Sequence, residues 1–210
     1  MKLAIRMMVL GPVQTNCFFL INEDTKEVLI IDPADRAQKI IEWINSEGLK
    51  PVAILLTHGH FDHIMGIQDF RKVYDVPVYA GEREAALLQD AHWNQSDIYT
   101  NGYTFSDAVY VKDGEMLHIA GFDIQVFFTP GHTPGGLSLY GEGVVFSGDT
   151  LFRYSVGRTD LYGGSSKTLL HSLETKLMTL PDNTLVLPGH GPATSIGDER
   201  RGNPFLDGGW

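Results

Sequence analysis

Thr57-His58-Gly59-His60-Phe61-Asp62-His63 is the stretch on which the reading of this chain turns. It sets three imidazoles and one carboxylate within six residues, directly after the apolar run Val52-Ala53-Ile54-Leu55-Leu56. A short run of β-branched and aliphatic residues predicts a buried strand. His58 and His60 then fall on the loop at its end. Residues two apart on an extended segment point the same way, so both rings can reach one ion. A helix predicted over 63–73 follows, and its first turn brings Asp62 and His63 back toward the same place.

Three loops downstream complete a set: Gly131-His132-Thr133-Pro134-Gly135, Ser147-Gly148-Asp149-Thr150 and Pro188-Gly189-His190-Gly191. Each follows an apolar strand-like run, over 124–128, 144–146 and 185–187. Strand-end loops are where a rigid scaffold places working side chains. Together the four loops offer five His and two Asp. Imidazole suits zinc and iron, and a carboxylate can bridge two cations. That is the ligand inventory of a two-metal hydrolytic centre, in which ions about 3.5–4 Å apart hold and activate one water. The neighbouring glycines, Gly59, Gly131, Gly148 and Gly189, suit tight loops whose backbone passes close to the metals.

On these motifs the chain resembles the metallo-β-lactamase superfamily from about residue 3 to residue 195. Within it, the chain is most similar to the compact glyoxalase II-like (hydroxyacylglutathione hydrolase-like) hydrolases. Thr129-Pro130-Gly131-His132-Thr133-Pro134-Gly135-Gly136, Ser147-Gly148-Asp149-Thr150-Leu151-Phe152 and Gly157-Arg158-Thr159-Asp160 carry the likeness beside the His-rich stretch. The resemblance implies an α/β fold, a four-layer αββα sandwich. It implies one domain over 1–210, with 196–210 a short tail and no separate substrate domain. His58, His60 and His132 would hold one metal; Asp62, His63 and His190 a second. Asp149 would bridge them, with Asp62 and Asp149 as the catalytic carboxylates. Two divalent ions are expected, zinc foremost, with iron and manganese also suited to this ligand set.

Composition excludes several classes. The formal charge is −10, and no basic run is available to neutralise phosphates, so no nucleic-acid or anionic-membrane partner is expected. No apolar run approaches the ~20 residues needed to span a bilayer. Cys17 is the one cysteine, so no intrachain disulfide forms; it reads as a small core residue of a strand. The first residues lack the apolar core and cleavage site of a secretory signal, and a cytoplasmic location is the expectation.

Along the chain, strands are predicted over 3–10, 16–22, 27–32, 52–56, 76–80, 115–120, 122–128, 137–141, 143–147 and 184–188. Helices are predicted over 33–48, 63–73, 82–89 and 165–178, and 90–112 reads as irregular. Strand groups interleaved with helices in two similar halves permit two sheets packed face to face with helices outside.

The expected chemistry follows from the site. Two cations sharing a water lower its pKa toward neutrality, and a cation stabilises the oxyanion formed on attack at a carbonyl. A thiolate leaves without much protonation, so a small thioester such as S-lactoylglutathione suits a site with no evident general acid. Asp32 either orients a ligand imidazole or caps the helix after Pro33. Arg158, with Asp160, either locks its loop beside the site, contacts a substrate carboxylate, or forms a surface ion pair. His92, His118 and His171 lie outside every ligand loop. Trp93, Tyr99, Tyr103 and Phe105 either line a pocket rim or anchor their segment. The resemblance disfavours a true β-lactamase, which does not use a bridging Asp at the position of Asp149. It also disfavours the diiron flavoproteins, which have Glu in place of His60. A persulfide dioxygenase-like iron enzyme is the rival that shares Gly157-Arg158-Thr159-Asp160; a lactonase and a non-catalytic metal-binding protein are the others.

Overall fold

Alternation along the strand Thr15–Asn22 sets the layers of this protein. Cys17, Phe19 and Ile21 join one apolar cluster, Phe18 and Leu20 another, and all are buried. A strand buried on both faces must be central in a sheet covered on both sides. The computed structural model, which describes residues 2–206, shows that sheet. Its strands run in the order β1 (Leu3–Leu10), β2 (Thr15–Asn22), β3 (Glu27–Ile31), β4 (Lys50–Leu55), β5 (Val78–Gly81) and β6 (Val109–Val111). The pairs β1–β2 and β2–β3 are antiparallel; β3 to β6 are parallel. Against its outer face pack α1 (Ala37–Glu47), α2 (Phe61–Ile64), α3 (Ile67–Arg71) and α4 (Ala85–Leu88), and α5 (Ser96–Tyr99) follows, its Tyr99 ring stacked on Phe61.

The second sheet carries β7 (Met116–Ile119), β8 (Phe122–Phe128), β9 (Leu137–Gly141), β10 (Val144–Gly148), β13 (Leu185–Pro188) and β14 (Thr194–Ser195), with β11 (Leu151–Phe152) and β12 (Ser155–Val156) as a separate hairpin. Helices α6 (Ser166–Thr175) and α7 (Ile196–Gly202) cover its outer face. The mid-layer core joins Phe18, Leu20, Leu29, Ile31 and Leu55 of the first sheet to Val126, Leu139, Phe146 and Leu187 of the second. Val145 and Val186, one residue along, point the other way, to Leu169 and Leu173 of α6. The four-layer αββα sandwich and the single domain stand as expected.

Several boundaries differ. The helix expected over 33–48 starts only at Ala37, because Asp32, Ala34 and Arg36 hold φ of 52°, 52° and 59°, outside the helical region. The helix expected over 63–73 is split into α2 and α3. At Gly66 the chain passes so close to the Pro33 carbonyl that a Cβ would stand 2.7 Å from it. The segment 90–112 holds a helical turn and β6, which extends the first sheet. The tail expected from 196 contains α7; only residues 207–210 of it lie outside the described region. Among the described residues, no helix is long and apolar enough to cross a membrane.

Candidate metal centre

All seven side chains predicted as ligands meet at one end of the sandwich, on the loops after β4, β8, β10 and β13. They form overlapping groups whose ligand atoms lie within 4.8 Å of one another: His58, His60 and His132; Asp62, His63 and His190; and His58, His63 and Asp149. Asp149 lies between the first two groups. Its Oδ2 is 3.6 Å from Nε2 of both His132 and His190, and its Oδ1 is 3.6 Å from His63 Nε2. Asp62 Oδ2 is 3.1 Å from His190 Nε2 and 3.4 Å from His63 Nε2.

Hydrogen bonds behind the ligands decide which ring nitrogen faces inward. His132 Nδ1 donates to the Arg158 carbonyl (2.7 Å), which leaves the Nε2 lone pair turned toward His60 Nδ1, 3.0 Å away. His63 Nδ1 donates to Asp32 Oδ2 at 2.8 Å. The same carboxylate accepts from the Thr57 amide (2.8 Å) and hydroxyl (2.6 Å). Of the two readings of Asp32, ring orientation holds, since no side chain caps α1. Its φ of 52° is a strained conformation kept at a working position.

The donor set fits divalent cations. His58 Nε2, His63 Nε2 and Asp149 Oδ1, which face the cluster, are buried without a hydrogen-bond partner among the described residues. Orphaned buried polar atoms are costly, and a shared cation satisfies several at once. The electrostatics agree. Burial, with the neighbouring His63, His60 and His132, holds the His58 pKa well below its usual value. Burial and His132 bring His60 down to about 3. Both rings are therefore neutral and ready to ligate. His63 goes the other way: burial opposes it, but Asp62, Asp32 and Asp149 raise it to about 10. Asp62, despite burial, is held below the usual carboxylate range by His63 and by hydrogen bonds from His190 and Thr15. Excess negative charge thus concentrates where a cation would sit.

Three positioning groups escaped the sequence reading. Thr15 Oγ1 donates to Asp62 Oδ2 at 2.6 Å. Asn16 donates from Nδ2 to the carbonyls of Pro188 and Gly191, both at 2.9 Å, and pins the His190 loop to β2. Glu84 is 1% exposed; its two oxygens accept from the amides of Gly59 (2.8 Å) and Gly135 (2.7 Å) and so couple the first ligand loop to the His132 loop. The Gly189 backbone packs so tightly that a Cβ there would collide with Asp149 Oδ1 and stand 2.8 Å from His63 Cε1.

The Arg158 side chain forms an exposed bidentate pair with Asp160, both contacts at 2.7 Å, while its backbone carbonyl holds His132. The side chain is thus in a surface ion pair, and it is the backbone carbonyl that reaches the His132 ring. His92 and His118 pair with Asp97 and Asp123 on the surface, and His171 lines a cleft outside the centre. Phe105 is buried in the first core and the Tyr103 hydroxyl accepts from the Gln68 amide, so these two anchor their segment. Tyr99 stacks on Phe61 beside His60, with centroids 4.2 Å apart, and Trp93 on Tyr162 at 3.9 Å.

Fold and centre together define a metallo-hydrolase architecture, and the comparisons agree with it. A family match to the metallo-β-lactamase superfamily spans residues 10–190, and the chain belongs to that superfamily. It is 46% identical to the probable metallo-hydrolase YqgX of Bacillus subtilis, over 97% of each chain. It is 36% identical to the hydroxyacylglutathione hydrolase GloC of Haemophilus influenzae, over 92% of this chain and 93% of that protein. Among solved structures, the BLEG-1 B3 metallo-β-lactamase is 45% identical with a TM-score of 0.91, over 97% of this chain and 99% of that one. TTHA1623 in a di-iron-bound form is 38% identical with a TM-score of 0.86, over 96% and 100%.

Proposed function

We propose that this protein is a dinuclear metal hydrolase that cleaves small thioesters, S-lactoylglutathione among them. The observation that carries the reading is the position of Asp149, 3.6 Å from imidazoles of both triads. In this reading His58, His60 and His132 hold one ion, Asp62, His63 and His190 the other, and Asp149 serves both. Two divalent cations there would supply Lewis acidity and bring the pKa of water toward neutrality. Asp32 and the Arg158 carbonyl fix the rings of His63 and His132. Thr15 fixes the carboxylate of Asp62, whose depressed pKa keeps it anionic. The likeness to GloC supports the acyl-thioester class, and the di-iron form of TTHA1623 supports two ions and keeps iron beside zinc.

A β-lactam is the second substrate class. The expectation that disfavoured it rested on Asp149, yet the chain is 45% identical to the BLEG-1 B3 metallo-β-lactamase. Metal-loaded protein should be assayed in parallel on S-lactoylglutathione, on a chromogenic cephalosporin, and on glutathione persulfide with oxygen uptake. We expect hydrolysis of the thioester at the highest kcat/KM. Turnover of the cephalosporin alone, or oxygen uptake alone, would overturn the assignment.

A further inference from the structure

The hairpin β11–β12 leads straight from Asp149 to a cavity that the metal ligands do not fill. It has a volume of about 350 Å³ and is lined by Phe152, Arg153, Tyr154, Ser155, His190 and Pro192. The Phe152 ring lies with its centroid 6.3 Å from that of His190. The cavity therefore starts at a candidate ligand and runs outward along an aromatic wall. Its one cation, Arg153, stands over the Tyr154 ring at 5.6 Å.

The wall is built from behind. Glu199 of α7 is fully buried, and its carboxylate accepts from the Tyr154 amide (2.8 Å), the Thr194 hydroxyl (2.6 Å) and Asn203 Nδ2 (2.8 Å). Asn203 Nδ2 also reaches the Ser155 carbonyl at 3.1 Å. Gly202 lets the helix end approach: a Cβ there would stand 3.0 Å from the Tyr154 ring. A hairpin fixed by a buried carboxylate keeps its shape when the cavity empties.

Resting on the thioester reading, we infer that this cavity binds the acyl half of the substrate, and that the acyl group it suits is an apolar chain longer than lactoyl. Two arguments carry this. Thiol carriers are polar and charged, whereas Phe152, Tyr154 and Pro192 give an apolar surface that rewards hydrocarbon. And the Phe152 ring, its centroid 6.3 Å from that of His190, with Tyr154 beyond it, continues the apolar surface past the reach of a three-carbon lactoyl group. The C-terminal helix is then a specificity element, since it sets the wall that measures the chain.

The test is direct binding, so that it does not depend on turnover. Straight-chain 2-hydroxy acids from lactate to 2-hydroxyoctanoate are titrated calorimetrically into metal-loaded protein. The affinity should rise about fourfold per methylene, the ratio equivalent to ~0.8 kcal/mol per buried CH₂. Tyr154→Ala removes part of the wall and Ser155→Phe narrows the space; each should flatten the chain-length gradient. An affinity independent of chain length in the wild type would overturn the inference, as would a gradient unchanged in both variants. If the gradient is present but no thioester is hydrolysed, the cavity stands as an acyl site and the thioesterase assignment is what fails.

Discussion

At the residue scale, the centre is a set of rings held by what lies behind them. Asp149→Ala should strip both ions and abolish turnover, whereas His118→Ala and His171→Ala should leave activity within a few-fold; elemental analysis beside steady-state kinetics checks all three. An Asp149→Ala protein that kept two ions would contradict the bridging role. Glu84→Gln should weaken metal affinity by about 10–100-fold, the usual effect of disturbing a group that positions ligands. The amide side chain can accept from only one of the Gly59 and Gly135 donors, and a chelator-competition titration reads the loss. The ligands were legible because few residue types bind metals and their spacing is tight. Glu84 and Thr15 were not. A carboxylate among 26 acidic residues carries no pattern that says it will be buried between two loops. A threonine before an apolar strand reads as its edge, not as the partner of Asp62 47 residues on.

At the element scale, the periodic stretches were the easy part. Phe18/Leu20 against Cys17/Phe19/Ile21 is a period of two, and the apolar Ala37, Ile40, Ile41 and Ile44 of α1 follow the helical one. Where backbone conformation overrode the pattern, the reading failed. Gly66, wedged against Pro33, divides one expected helix into two. Residues 196–210 read as a tail, although Ser195 and Asp198 form a legible N-terminal cap for α7: Ser195 Oγ accepts from the Asp198 amide at 3.1 Å. That helix matters for stability. Glu199→Ala would leave the Tyr154 amide, the Thr194 hydroxyl and Asn203 short of an acceptor. We expect a fall in Tm of at least about 6 °C, since three buried groups left unpaired cost about 1–3 kcal/mol each and each kcal/mol lowers Tm by about 2–4 °C at this chain length. Differential scanning calorimetry of the chelated protein checks this, and an unchanged Tm would remove the helix from the structural core.

At the scale of the whole molecule, the opposed shifts of His60 and His63 shape the dependence on pH. His60 is lowered from 6.5 to about 3, so between those values the unfolded chain takes up the proton first and stability falls as the pH falls. His63 is raised from 6.5 to about 10; its contribution is full below 6.5 and is lost as the pH rises through 10. Metal-free protein should therefore be most stable near neutrality and lose Tm on both sides. Bound cations displace the His63 proton, so metal-loaded protein should show the acid limb, steepened by metal release, without the alkaline one. Thermal melts from pH 4 to 10, with and without chelator, distinguish the two curves. Calorimetric metal titration at pH 7.5 in two buffers of different ionisation enthalpy should also show net proton release.

The two sheets that supply the centre are also far apart in time. His58 to His63 leave the ribosome with the first sheet, and His190 follows some 127 residues later. At ~5–20 residues per second that interval is about 6–25 s. For that period the nascent chain displays an incomplete chelate of three imidazoles and a carboxylate. Only the penultimate strand of the second sheet closes it, by way of the contacts between Asn16 and the His190 loop. Tight retention of both ions would thus report that synthesis has passed β13 and the loop that follows it. Chains stalled before β13 would exchange their metal freely and stay open to proteolysis.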